Sequence, residues 1–407
     1  MHAKERIFLI IALLYILYTI FPLFADMFQI PVWLPSIAAF IVMLILYPKA
    51  FFNKTFFWFL VYALVLVIYL LLGRRLTIGI GTVADKKKII IEFAYILPTI
   101  SMFCILYYLK DELLIRKLVR WSIVMLFVSF IIAIPLMLRY SSIRAALGEE
   151  QAGEIIAIGL PGYSLMHAYS LFLPVLCYGT KGFNGVKKLW LLIGLSLLVF
   201  VIYDTFVTTS LLITIAILLF TALYSEKNRS VFWIVTAILL IVFFVLYKRG
   251  VFITLIDRIM PAFEGTAVEF KLNDFKDSML QGRLTGSSIT GRQTLHDISW
   301  TSFFHNPIFG TSMVGGHSSL MDRFGGMGVV AGLPFLMIFV SFIQQMIKLY
   351  HTRMARAYFW VGIAAGFVYL YQKGMWGCES WLVYMVLMPF GILTIEKQIE
   401  NHGTTTS

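Results

Sequence analysis

Apolar stretches of about 20 residues recur along the whole chain, separated by polar or charged breaks, and this spacing constrains the fold more than any other feature. They fall at about 7–24, 31–47, 55–72, 89–109, 118–138, 160–179, 187–203, 205–224, 231–247, 325–347, 357–371 and 376–395. One helical crossing of a bilayer needs about 20 apolar residues, and only helices and closed barrels satisfy every backbone polar group inside lipid. The pattern predicts an all-α, polytopic integral membrane protein with about 12 transmembrane helices. Composition points the same way. Of 407 residues, 60 % are hydrophobic and 13 % charged, about half the charged share of a soluble domain. A soluble globular enzyme, a disordered chain and a nucleic-acid-binding module are excluded, and the bilayer is the first expected partner.

The net charge of +12 is weak evidence for an anionic partner, because Lys and Arg gather in cytoplasmic loops and orient membrane chains. Counted over alternate breaks, the side bearing both termini holds 17 Lys and Arg, against eight in the short loops opposite. Both termini are therefore expected in the cytoplasm, although Lys86-Lys87-Lys88 runs against the trend. Cys104, Cys177 and Cys378 lie in or beside apolar segments without CxxC spacing, so they read as packing residues. Met1–Arg6 followed by an apolar run resembles a signal peptide, but no small-x-small cleavage site follows. It reads as an uncleaved first helix.

The chain divides into residues 1–247, with helices 1–9 and an outer loop at about 139–159; residues 248–324, one large outer loop; and residues 325–407, with helices 10–12 and a cytoplasmic tail. The large loop is the only segment of soluble-like composition, and a structureless loop of that length is unusual. It is expected to fold onto the outer face, where any chemistry would then sit.

Within it, Thr290 and Gln293 have capping-box spacing, which predicts a helix starting at Gly291. Leu295, Ile298, Ser299, Ser302 and Phe303 form one mostly apolar face, and Asn306-Pro307 ends the helix. The expectation is an amphipathic helix of about fifteen residues at the membrane surface. Arg292 would fall in its first turn, where free N–H groups and the helix dipole favour an anion and an Arg can grip phosphate oxygens in bidentate fashion. The alternative is an interfacial Arg that snorkels or pairs with Asp297.

After Gly310 come Gly315-Gly316-His317-Ser318-Ser319-Leu320-Met321-Asp322 and then Gly325-Gly326-Met327-Gly328. The glycines allow close backbone approach to a ligand, and His317 is the side chain suited to take a proton near neutral pH. A lone loop His is also a common structural residue. Asp322 has two readings, orienting the imidazole or pairing with Arg323.

Taken in order, Gly291-Arg292, Trp300, His305-Asn306-Pro307-Ile308-Phe309-Gly310, Gly316-His317-Ser318-Ser319, Asp322, Gly328 and Gly332 resemble the signature of the O-antigen polymerase/ligase family (Wzy-type polymerases and WaaL-type ligases). That signature runs GR, W, NPxxG, H(N/S)xxL(D), in a large external loop before a span. The resemblance covers about 45 residues closely and matches the hydropathy of the whole chain. It implies a GT-C-type glycosyltransferase fold in a bacterial cytoplasmic (inner) membrane, with its active site on the periplasmic or extracellular face. The implied reaction moves a glycan from an undecaprenyl-diphosphate carrier to a sugar hydroxyl. Cations must offset the departing diphosphate and a base must deprotonate the incoming hydroxyl. The family's roles carry over to Arg144 and Arg292, with Arg139 as a further diphosphate contact, and to His317 as base. Asp322, Arg323 and Trp300 are supporting candidates. Arg144 has other readings: pairing with Glu149 or Glu150, anchoring span five, or binding lipid head groups.

The resemblance also implies lipid-linked oligosaccharide as both donor and acceptor, with a chain-length regulator protein and a flippase as further partners. The expected function is a polysaccharide (O-antigen or capsule) polymerase. The alternatives are a ligase of the same family or a lipid-linked oligosaccharide flippase. A transporter should place ionisable groups deep in its spans and often repeat its halves. No outward D-x-D occurs, so nothing in the sequence requires a metal, and no cofactor is expected. Two departures from the family stand out: no Asn opens the helix after Gly159-Leu-Pro-Gly162, and Thr208-Thr209-Ser210 replaces the usual Ser-Arg-Gly-Ala. Asp274 and Asp277 read as a solvated face, Lys248 and Arg249 as snorkelling cations, and Glu92 and Asp204 as interfacial. Trp33, Trp376, Trp381 and Tyr140 read as an aromatic belt.

Overall fold

The computed structural model describes residues 2–21, 31, 33–72, 77–78, 82–83, 86–139, 162–204, 207–226, 229–264, 269, 272–273, 276–277, 280, 287–372 and 377–404. About 87 % of these are helical. The helices are α1 (Ala3–Ile20), α2 (Trp33–Leu46), α3 (Lys54–Leu71), α4 (Lys86–Leu109), α5 (Glu112–Arg139), α6 (Tyr163–Gly182), α7 (Gly185–Asp204), α8 (Thr208–Leu223), α9 (Arg229–Lys248), α10 (Val251–Ile259), α11 (Ser287–His305), α12 (Ser319–Met346) and α13 (Arg353–Gln372). The last rod is α14 (Cys378–Leu382) and α15 (Met388–Thr404), joined by a π turn at Val383–Leu387.

Among the described residues, five helical stretches are long and apolar enough to cross a membrane: Lys54–Leu71, Glu112–Pro135, Gly185–Tyr203, Ser319–Met346 and Cys378–Asn401. Outward-facing Ile10, Leu64, Ile131, Leu212 and Ile241 are exposed. In water such a surface would be an aggregation liability; lipid is the solvent it fits. The chain is a helical, membrane-embedded protein.

At the centre stands α6, buried on every side from Leu165 to Thr180 and packed against α7, α8, α13 and α15. Two of its hydroxyls meet neighbouring rods. Ser170 and Tyr369 hydroxyls lie 2.5 Å apart, Tyr369 donates to Ser210 at 2.9 Å, and Tyr169 meets Ser129 at 2.8 Å. Ser210, in the segment that departs from the family pattern, is thus a bundle-internal hydrogen-bond acceptor. Trp381 is buried against Phe339 and Phe335, which corrects its assignment to an aromatic belt. The face a residue shows is set by helix packing, not by residue type. Trp376 and Tyr140 lie outside the described residues.

Helices α3 and α12 pack closely and are pinned at both ends. At one end the Asn53 amide donates to Gln345 at 2.6 Å, and Gln345 donates to Thr55 at 2.8 Å. At the other, Tyr69 donates to the carbonyls of Phe309 at 2.8 Å and Met327 at 3.1 Å.

Two expectations need correction. The helix bearing Arg292 starts at Ser287, so Thr290–Gln293 lies inside it, not at its cap, and Arg292 stands in the second turn, away from the free N–H groups. A glycine such as Gly291 costs a helix only about 1 kcal/mol and does not stop it. The stripe Leu295, Ile298, Ser299, Ser302 and Phe303 packs against α12, not against lipid; Ser299 and Ser302 are buried. A small sheet accompanies the helices. Strands β1 (Thr77–Ile78), β2 (Thr82–Val83) and β3 (Met313–Val314) form a small sheet in the order β2-β1-β3. The β1–β2 pair is antiparallel, and β1–β3 is parallel with Thr77 opposite Met313. This ties the α3–α4 connection to the segment just before His317.

Candidate functional site

The site is built on a break in α12. In a regular helix the amides of Val329 and Val330 would bond the carbonyls of Gly325 and Gly326. Here Gly328 has φ 64° and ψ −163°, a region open essentially to glycine alone. The freed amides turn to the preceding loop: Val329 donates to Pro307 at 2.8 Å and Val330 to Ile308 at 3.3 Å. The freed carbonyls of Gly325 and Gly326 each accept at 3.1 Å, from Thr311 and Ser312. Four backbone groups that the break would orphan are exchanged with residues 307–312.

The Asn306-Pro307-Ile308-Phe309-Gly310 run is shaped for this exchange. Asn306 Oδ1 accepts from the Phe309 amide at 3.2 Å, closing the turn after α11, and Gly310 takes φ 67°. A side chain on Gly328 would collide with the Ile308 carbonyl, and one on Gly310 with the backbone of Gly326 and Met327. Gly325 lies against Ser299 and Gly315 against Leu295 in the same way. These glycines were expected to admit a ligand; the close approach they allow is to the chain's own backbone.

His317 sits half-buried on the short segment between β3 and α12. Gly316, at φ 76°, turns the chain ahead of it. Asp322 anchors the backbone on both sides: the Gly316 amide donates to Oδ1 at 3.3 Å and the Ser318 amide to Oδ2 at 3.2 Å. The Ser299 hydroxyl donates to Oδ1 at 2.7 Å and accepts from the Gly315 amide at 2.9 Å. Ser318 caps α12, accepting from Met321 at 3.1 Å, and donates to the Leu370 carbonyl at 3.2 Å. Asp322 thus positions the backbone that carries the imidazole.

Asp322→Ala would leave the amides of 316 and 318 without their acceptor. Hydrogen bonds to charged groups contribute about 1.5–3 kcal/mol each, so the variant is expected to lose about 3 kcal/mol of stability. Hydrogen–deuterium exchange at residues 315–318 should rise together with a lowered melting temperature. Unchanged protection there would show that the loop is held by other contacts.

The supporting candidates divide. Arg323 is 6 % exposed; its Nε donates to the Tyr62 hydroxyl at 2.9 Å and its guanidinium lies 5.4 Å from the Phe335 ring centre. It joins α12 to α3. Trp300 stacks on Phe304 with centroids 5.5 Å apart and meets Phe303 edge-on, so it packs the outer side of α11. Arg292 shares a helical face with Leu295 and Ser299, at spacings of three and seven. That puts its backbone about 10 Å along the helix axis from Ser299. The side chains of Arg292 and Arg139, Lys86-Lys87-Lys88, Glu92 and Asp204 lie outside the described part. So do Arg144, the loop around it and Asp274. Asp257 pairs with Lys276 at 2.5 Å, beside Asp277.

Two groups at this end of the bundle have no counterpart among the expected site residues. The His296 ring stacks on Tyr371 at 5.4 Å, and its Nδ1 is buried without a hydrogen-bond partner among the described residues. Its spacing from Arg292, one helical turn, was the available signal. Glu379, at the start of α14, accepts from the Ser164 hydroxyl at 2.8 Å, and Ser380 donates to the Ser164 carbonyl at 2.8 Å. This closes α14 onto the start of α6. Chemically, the arrangement offers an imidazole carried on a backbone segment held by Asp322. No protein-family model matches the chain, and no curated protein matches it.

Proposed function

We propose that the chain is a polysaccharide polymerase. It would transfer an undecaprenyl-diphosphate-linked glycan onto a lipid-linked repeat unit at the outer face of a bacterial cytoplasmic membrane, using a GT-C-like bundle of about twelve crossings. One observation carries this proposal: the later residues of the O-antigen polymerase/ligase resemblance form one connected structural unit around His317. Asn306–Gly310, Gly316, Ser318, Asp322 and Gly328 are joined by hydrogen bonds and close backbone contacts, together with the neighbouring Gly315 and Gly325. Preorganised placement of a base against a bound hydroxyl is what proton transfer during glycosyl transfer requires. In this mechanism His317 takes the proton of the acceptor hydroxyl. Arg292 and Arg144 offset the charge of the departing diphosphate, and Asp322 and Ser299 fix the loop that presents the imidazole.

The acceptor is tested with purified protein in liposomes, supplied with undecaprenyl-diphosphate-linked repeat units from its own host. A ladder of products identifies a polymerase. Transfer that appears only after a lipid A core acceptor is added identifies a ligase. Transbilayer movement of the lipid with its glycan unchanged identifies a flippase and overturns the proposal.

A further inference from the structure

At the opposite end of the bundle from His317 lies a cavity of about 440 Å³ between the α4–α5 turn, the α12–α13 connection and α15. Its volume falls in the range of small-molecule sites. Its lining carries Lys110, Arg116, Lys348 and Lys397 against one lining carboxylate, Glu112, with His351 and several leucines; the neighbouring Asp111 and Glu396 carboxylates are taken up by backbone amides. Glu112 pairs with Lys397 at 3.5 Å. Lys110, Arg116 and Lys348 pair with no carboxylate among the described residues.

The walls are fixed in advance of any ligand. On one side Lys110 occupies the left-handed region at φ 51°, where a non-glycine residue is strained and such strain clusters at functional positions. The next residue, Asp111, caps α5 by accepting from Leu113 at 2.8 Å and Leu114 at 3.1 Å. On the other side the buried Glu396 accepts from the amides of His351 at 2.9 Å and Thr352 at 2.5 Å. Arg356 donates to the Tyr350 carbonyl at 2.9 Å, and Tyr350 donates to the Pro389 carbonyl at 2.9 Å. A preformed pocket loses less ordering entropy on binding, and clustered cations above apolar side chains suit a phosphate group whose attached chain leaves along the bundle.

We infer that this cavity binds a phosphate-bearing anion, with Arg116 and Lys348 as its principal contacts and Lys110 closing over it. The ligand is either the head group of an anionic phospholipid or a soluble phosphate. The charge count places this end of the bundle at the cytoplasmic surface, where both occur. The inference is independent of the polymerase proposal, since it uses none of the residues around His317.

The test uses the full chain in phosphatidylcholine nanodiscs, with melting temperature and direct binding followed on titration. The probes are short-chain phosphatidylglycerol, short-chain phosphatidylcholine, inorganic phosphate and pyrophosphate. Phosphatidylglycerol or the phosphates should bind and raise the melting temperature, while added phosphatidylcholine should not. The double variant Arg116→Ala/Lys348→Ala should bind about a hundredfold more weakly, as expected for losing two charged hydrogen bonds at about tenfold each. The charge-keeping Arg116→Lys/Lys348→Arg should retain binding, which separates loss of contacts from loss of fold. Binding of phosphatidylglycerol that the soluble phosphates do not displace assigns the site to lipid; displacement by them assigns it to a soluble anion. No binding by any phosphate probe, equal binding of phosphatidylcholine, or unweakened binding by the alanine double overturns the inference.

Discussion

His317→Ala is expected to lower the rate of glycan transfer by about 10²–10⁴-fold, the usual contribution of a general base, while leaving the protein folded. The imidazole is half-buried, and the loop that carries it is held through its backbone. The contacts from Gly316, Ser318 and Ser299 to Asp322 persist when the ring is removed, so the loss should fall on turnover and leave the melting temperature nearly unchanged. His317→Gln keeps the polar side chain but cannot accept and pass on a proton at neutral pH; it should be as slow as the alanine variant. Activity close to wild type in both would remove His317 from the chemistry and leave it a structural loop residue.

Gly328→Ala should act on stability. At φ 64° and ψ −163° an L-residue is strained by about 1–3 kcal/mol, and the new methyl would meet the Ile308 carbonyl. Relieving that collision means separating the 307–312 loop from the broken helix, which endangers the exchanged backbone hydrogen bonds as well. The expected total is about 4 kcal/mol or more, enough to deplete folded protein in the membrane. Gly185→Ala is the control. Its φ is 60°, but nothing lies within 4 Å of an added Cβ, so only the backbone strain remains. The melting temperature should fall much further for position 328 than for position 185. Equal falls would mean that the loop and the helix break are not coupled as described.

Among the described residues the helices follow the apolar stretches, and five are long and apolar enough to cross a membrane, because bilayer thickness and backbone hydrogen bonding leave a chain of this composition few other solutions. The candidate residues between 306 and 328 were legible as a list but not as an arrangement. The stripe from Leu295 to Phe303 was correctly placed on one face. Its partner, α12, could not be inferred, because two serines in the stripe look like weak amphipathicity when both are in fact buried, Ser299 in close approach to Gly325. The glycines at 310, 325 and 328 stand out in the sequence, yet a glycine does not say whether a ligand or another backbone approaches it. The exchange between residues 307–312 and the break in α12 spans about 20 residues and has no local signal. Asp322 was seen as a partner for either His317 or Arg323. Its position against the amides of 316 and 318 depends on the left-handed turn at Gly316, which spacing does not encode. The two-residue pairing of β1 with β3 joins positions more than 200 residues apart and escapes periodicity altogether.

The most direct measurement compares four proteins in one reaction: wild type, Arg292→Ala, His317→Ala and Asp322→Asn. Each is purified to the same folded state and given undecaprenyl-diphosphate-linked repeat units from its host, with initial rates of chain extension followed over a range of pH. Wild type should build a ladder, and Arg292→Ala and His317→Ala should extend at least about a hundredfold more slowly at equal melting temperature. Asp322→Asn should extend slowly and recover part of its rate as the concentration of acceptor rises, because it loosens a loop without removing the base. The absence of a ladder from wild type with authentic substrate would contradict the polymerase. Extension by His317→Ala at close to the wild-type rate would contradict the base.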